Sequence, residues 1–166
     1  PVPMTTWVNT ELSVDALSAA TPLSAYKFDK IIAGAFPMFL GNTGGSLGET
    51  SAIAILAGGI FLVFMKIVNW RIPFSIIMGS LVFSGIFYLM GKTPDPLFHI
   101  LAGGLLFGSF FMATDWVTSP LTEKGMWIYG VGIAFLVIII RVFGGLPEGV
   151  MYSILLMNAF VPLINK

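Results

Sequence analysis

Cysteine is absent from the 166-residue chain. That excludes disulfides, thiolate chemistry, cysteine-ligated zinc and iron–sulfur clusters held by this chain. The single His makes an all-histidine metal centre equally untenable. Charge is scarce too: only 10% of residues are Asp, Glu, Lys or Arg, where a soluble domain usually carries about 25%. Eight basic residues balance eight acidic ones, so the chain has neither the basic excess of a nucleic-acid binder nor the character of an acidic partner module. What remains is apolar: 57% of residues are hydrophobic and the mean hydropathy is +0.94. The natural solvent of such a chain is mostly lipid.

A bilayer core about 30 Å thick needs roughly 20 mostly apolar residues per helix. Five segments qualify, at 51–68, 72–90, 97–113, 126–143 and 150–164. A sixth, 31–40, is apolar but short and holds Pro37; it reads as a re-entrant or interfacial piece, or as the tail of a helix starting near Lys27. Barrel strands would be about ten residues long and alternate in polarity. These runs are longer and apolar all round, so the expected fold is an all-α polytopic membrane bundle of about five transmembrane helices with a short N-terminal interfacial or partial helix. The connections contain Asn69-Trp70-Arg71, the Pro-rich 91–96, the polar 114–125 and the Gly/Pro break 144–149. Glycines inside the spans, such as Gly58-Gly59, Gly103-Gly104 and Gly108, read mainly as close helix packing. With alternating spans, Lys66, Arg71, Lys124 and Lys166 fall on one side and Lys27, Lys30, Lys92 and Arg141 on the other. This even split gives no orientation. The chain opens at Pro1 without an initiator Met or a charged signal-type segment, and is expected to be the C-terminal portion of a longer subunit.

Several polar groups stand out against this background. The stretch from Asp15 through Ser18, Ala20 and Thr21 to Leu23 is small-residue and hydroxyl-rich; an ordinary N-cap or turn accounts for it on residue chemistry alone. Glycines 41, 44, 45 and 48 surround Ser46 and precede Glu49, as in a helix-entry loop. The Gly-Lys-Ser/Thr ending of a nucleotide P-loop is missing. Asp115 and Glu148 each border an apolar run, so each is either interfacial or turned into the bundle as part of an ion path. His99 reads as interfacial or satisfied, Arg141 as snorkelling to the interface, and Asn158 as hydrogen-bonding across helices.

Five blocks then occur in one order. Asp15-x-x-Ser18-x-Ala20-Thr21 resembles the acceptor motif at which a flavin transferase joins FMN to Thr through a phosphoester. Residues 45–51 (GSLGETS), 69–73 (NWRIP), 111–115 (FMATD) and 147–150 (PEGV) follow it. The order is similar to that of the family formed by the D subunit of the Rnf ion-pumping ferredoxin:NAD oxidoreductase and its relative, the B subunit of the sodium-pumping NADH:quinone reductase. Residues 42–48, 143–145 and 152–158 resemble the Rnf branch. The resemblance covers nearly the whole chain from Asp15 onward.

The resemblance implies covalent FMN on Thr21, with Asp15, Ser18 and Ala20 completing the motif and Gly45, Ser46 and Gly48 as expected flavin contacts. It implies an ion path through Glu49, Asp115 and Glu148, carrying Na⁺ or H⁺. Residues 1–26 would form an extracytoplasmic flavin-bearing loop on the outer face of the inner (cytoplasmic) membrane. Residues 27–166 would form the second half of a subunit with about ten helices. Some members also hold non-covalent riboflavin, which the resemblance implies for the full subunit rather than for any residue here. Implied partners are other membrane and flavoprotein subunits, one of them a second covalent-FMN subunit. Ferredoxin and NAD sites would lie on those partners, because this chain has neither cysteine nor a strand-linked G-x-G-x-x-G. Two readings compete with a redox subunit: a permease-like transporter without a redox cofactor, and a purely structural scaffold.

Overall fold

The computed structural model describes residues 21–30, 34–41 and 51–165. Asp15, Ser18, Ala20, Gly45, Ser46, Gly48 and Glu49 lie outside the described residues. Among the described residues all regular structure is helical. Helix α1 (Pro22–Asp29) begins with Thr21 as N-cap and Pro22 in its first turn, where a missing N–H costs nothing. It ends at Lys30, whose left-handed backbone (φ 58°) returns its N–H to the last carbonyls. The 31–40 segment is therefore not the tail of a helix from Lys27. A separate short helix, α2 (Ala35–Leu40), follows and lies against the elements described next.

Helices α3 (Ala52–Phe64), α4 (Arg71–Leu89), α7 (Glu123–Phe143) and α8 (Val150–Ile164) carry the bundle. Between α4 and α7 lie α5 (Pro96–Leu101), α6 (Leu105–Phe107) and a π-helical turn, Gly108–Met112. Among the described residues two helices, α4 and α7, are long and apolar enough to cross a membrane. At about 1.5 Å per residue, α4 and α7 reach roughly 28 and 31 Å, a full hydrocarbon core. At 13 and 15 residues, α3 and α8 are shorter. The expected 51–68 helix stops at Phe64, because Lys66 takes φ 57° and turns the chain. The expected 97–113 helix is not continuous: it breaks at Ala102–Gly104, where Gly103 has φ 72°. Five uninterrupted spans are thus not what forms.

Parallel packing of α4 and α7 follows from their ring contacts, Phe74 on Trp127, Phe83 on Phe135 and Phe87 on Phe143, in matching order. Helix α4 turns Ser75, Ser80 and Ser84 inward, and two of the three hydroxyls donate to their own helix, Ser75 to Ile72 O and Ser84 to Ser80 O. Such serines need no partner across a lipid-dry interface. Gly130 of α7 sits so close to α4 that a Cβ there would collide with the Ser75 hydroxyl. Helix α8 runs antiparallel to α7, with Tyr129 donating to Asn158 Oδ1 at 2.5 Å, the cross-helix bond expected of Asn158. The core gathers Ile72 and Ile76 from α4, Tyr129 and Ile133 from α7, Leu105 and Ile154. Lipid tails are as apolar as these side chains, so what holds the helices together is close packing rather than transfer from water. The exterior agrees: Phe64 and Leu89 are 81% and 86% exposed, an apolar coat of the kind only lipid or partner subunits would cover.

Candidate functional site

The broken segment is the chemically informative place. A helix interrupted inside an apolar bundle leaves carbonyls and N–H groups without intrahelical partners, and each must be met from elsewhere. Arg141, in the last turn of α7, meets the carbonyls: its Nη1 donates to His99 O at 2.5 Å and its Nη2 to Ala102 O at 3.2 Å. Glu148, in the loop before α8, accepts from Gly104 N at 3.0 Å and pairs with Arg141 Nη2 at 3.2 Å. One cation and one anion thus serve both frayed ends and each other. The Arg141 side chain is 1% exposed and that of Glu148 is 32% exposed. Arg141 does not snorkel as expected: the orphaned carbonyls of the break bind its guanidinium inside the bundle. Gly103-Gly104 is likewise not simple packing but the bend itself.

His99 lies beside this node on α5. It is neither interfacial nor satisfied: the residue is 1% exposed and both ring nitrogens lack a hydrogen-bond partner among the described residues. Its ring meets Phe98 edge-on at 5.8 Å, and Phe98 in turn takes Tyr26 of α1 edge-on at 5.4 Å. Lys27 of α1 donates its ammonium to Arg141 O and Leu146 O, both at 3.0 Å, and to Gly144 O, closing the C-terminus of α7. Burial, and secondarily the Lys30 charge, holds the Lys27 ammonium below its ordinary pKa; burial raises that of Tyr26. Leu23 completes the attachment by packing with Met38, Phe98 and Ala102.

Thr21 is therefore placed at the same end of the bundle as the Arg141–Glu148 pair. Its half-buried hydroxyl caps α1, accepting from Ser24 N at 3.4 Å and donating to Ser24 Oγ at 3.1 Å. At Thr21 the backbone shows an N-cap. Helix α1 runs without a break through residues 26 and 27, where the loop was expected to give way to the bundle.

Asp115 belongs to the opposite end. It is exposed, accepts from Thr118 Oγ1 at 3.0 Å and caps its own loop. The neighbouring Trp116 donates to Ile67 O at 2.9 Å, near the ends of α3 and α4, where Arg71 pairs with Glu123 at 2.8 Å. Asp115 and Glu148 are thus not brought together, and among the described residues no three His, Asp or Glu side chains converge. Sequence reasoning missed the node of Arg141, His99 and Lys27. The available signal was a Gly-Gly pair inside an apolar run together with an Arg and a Glu seven residues apart.

The node can be tested at its tightest point. A Cβ on Gly103 would lie 2.8 Å from Glu148 Oε1 and 3.0 Å from Arg141 Nη2, in a left-handed conformation. Gly103→Ala should therefore destabilise by about 2–3 kcal/mol, combining left-handed strain with displacement of the ion pair. Gly104→Ala, whose Cβ would meet nothing nearer than 3.7 Å, should cost far less. Equal unfolding midpoints for the two variants would refute this account of the break.

The family model "NQR2, RnfD, RnfE family" matches residues 1–166. The chain is 48% identical to the D subunit of the proton-translocating ferredoxin:NAD(+) oxidoreductase complex of Clostridium ljungdahlii, over all of this chain and 54% of that protein. It is 42% identical to the D subunit of the Na(+)-translocating ferredoxin:NAD(+) oxidoreductase complex of Acetobacterium woodii, over 92% of this chain and 48% of that one. Against the B subunit of the Na(+)-translocating NADH-quinone reductase of Pseudomonas paraeruginosa the identity is 40%, over 92% and 41%. The chain spans about half the length of the curated relatives it matches. It belongs to the NQR2, RnfD, RnfE family.

Proposed function

We propose that this chain is part of a membrane redox subunit that carries FMN on Thr21 and works in a complex coupling ferredoxin:NAD oxidoreduction to Na⁺ or H⁺ translocation. The observation that carries the reading is the Thr21 hydroxyl, half-buried at the N-terminus of a helix docked beside the Arg141–Glu148 node. The residues fit the group. A phosphoester keeps a negative charge, which the N-terminal end of α1 favours, and Pro22 stiffens the chain beside the attachment point. Bound flavin would supply one- or two-electron transfer. This chain's own residues would hold it at one end of the bundle, with Asp15, Ser18 and Ala20 as the recognition motif and Gly45, Ser46 and Gly48 as contacts.

In this reading the Thr21 end faces outward, and the Arg71–Glu123 end faces the cytoplasm. The bundle crosses the inner membrane five times, counting the interrupted 96–112 stretch as one crossing, and partner flavoprotein and membrane subunits complete the complex. The relatives named above translocate different ions, so membership of the family does not choose between Na⁺ and H⁺. Glu49, together with Glu148 on the Thr21 side and Asp115 at the far end, makes up the proposed acidic positions of an ion path. Glu49→Gln should lower ion uptake into vesicles by more than it lowers flavin content. Unchanged uptake would remove Glu49 from the path.

The test of the redox reading is flavin fluorescence of this chain on a denaturing gel, from cells that contain the flavin transferase. A band that glows under ultraviolet light is expected. A dark band would favour the second reading, a permease-like transporter, which the interrupted helix and buried ion pair also suit.

A further inference from the structure

The end of the bundle remote from Thr21 holds a cleft of about 460 Å³, within the roughly 300–1,000 Å³ typical of small-ligand sites. Its polar lining is donor-rich: Lys66, Asn69, Arg71 and Ser119, with Trp70 and Trp116 at its edges. The remaining lining is mainly aliphatic. Lys66 is exposed and has no ion-pair or hydrogen-bond partner for its ammonium among the described residues, while Arg71 already shares its charge with Glu123.

The backbone at Lys66 adds an independent observation. The residue follows the last turn of α3 in the left-handed region, φ 57°, with its N–H on Val63 O at 3.0 Å and that of Ile67 on Leu62 O at 3.1 Å. This is the helix-terminating position that glycine fills without strain. A lysine there is held under strain that glycine would relieve, and such strain concentrates at sites of function. Trp116 fixes the neighbouring carbonyl of Ile67, so the turn that presents the ammonium is itself pinned.

We infer that this cleft binds the headgroup of an anionic phospholipid, with Lys66 on the phosphate, Asn69 and Ser119 as neutral donors, Trp70 and Trp116 at the level of the membrane surface and the aliphatic wall along the start of the acyl chains. A cation beside neutral donors selects an anion. The apolar wall and the two tryptophans, at the end of two helices of membrane-crossing length, select one attached to lipid over free phosphate. The site does not depend on flavin attachment at the other end.

The test is native mass spectrometry of the purified, delipidated complex titrated with phosphatidylglycerol, phosphatidylethanolamine or inorganic phosphate. Wild type should retain phosphatidylglycerol in preference to the other two. Lys66→Gln should weaken that retention roughly fivefold, the contribution of one cation near an anionic lipid. Lys66→Gly is the sharper variant, because it should lose retention equally while leaving the thermal midpoint unchanged or raised, since it relieves the left-handed strain. Retention by Lys66→Gly equal to wild type would overturn the proposal. Equal retention of phosphatidylethanolamine would overturn its charge selectivity, and displacement of the lipid by inorganic phosphate at equal concentration would overturn its lipid source.

Discussion

Thr21→Ala is expected to give a chain that inserts in the membrane and carries no flavin through denaturation. The effect should be all or none, because the Thr oxygen is the atom that would bond to phosphorus and no neighbouring methyl can replace it. The structural cost should be small. The hydroxyl is only a weak cap, 3.4 Å from Ser24 N, and losing a cap costs about 0.5–2 kcal/mol, near the low end for so long a contact. Helix α1 keeps its other anchors: Leu23 in its apolar cluster, Tyr26 against Phe98 and Lys27 on the α7 carbonyls. A dark band at wild-type membrane abundance is therefore predicted, with Thr21→Ser, which retains the oxygen, expected to recover part of the signal. Fluorescence persisting in Thr21→Ala through SDS would sink the assignment of FMN to this residue.

Arg141→Met should destabilise the bundle by about 3 kcal/mol, the lower end of the 3–5 kcal/mol seen when one partner of a buried ion pair is removed. The lower end applies because Glu148 is one-third exposed and can regain water. The two carbonyls at the break have no such recourse: His99 O and Ala102 O lose the donors they take from the guanidinium. Arg141→Met with Glu148→Met should recover a measurable part of the loss, since the double variant no longer strands a carboxylate. An unfolding titration of the purified complex in mixed micelles measures both. Arg141→Met within about 0.5 kcal/mol of wild type would mean that the ion pair is not what holds the interrupted helix.

Some of this was legible in the order of residues. The expected spans at 72–90, 126–143 and 150–164 match α4, α7 and α8 to within a turn, because long apolar runs leave the backbone no choice but helix in lipid. Helix α7 starts three residues earlier than its apolar run, since Thr122 caps it and Glu123 suits the first turn. The 97–113 run deceived for a definite reason. Apolar composition cannot register a break made by two glycines, and Gly103-Gly104 has the same pattern whether it lets a neighbour approach or bends the chain. The turn at Lys66 was hidden as well, because a left-handed lysine has no sequence signature of its own.

The residues alone determined that the chain is helical and suited to lipid, that it can hold no iron–sulfur cluster, and which five blocks it shares with its family. Those properties follow from composition and local pattern, which do not depend on what packs against what. Only the tertiary structure decided that Arg141 is buried rather than snorkelling, that it serves a broken helix together with Glu148, and that Thr21 stands at their end of the bundle while Asp115 stands at the other. The reason is that an orphaned carbonyl attracts a guanidinium from 42 residues away in the chain, and such a demand arises only once the helix has broken.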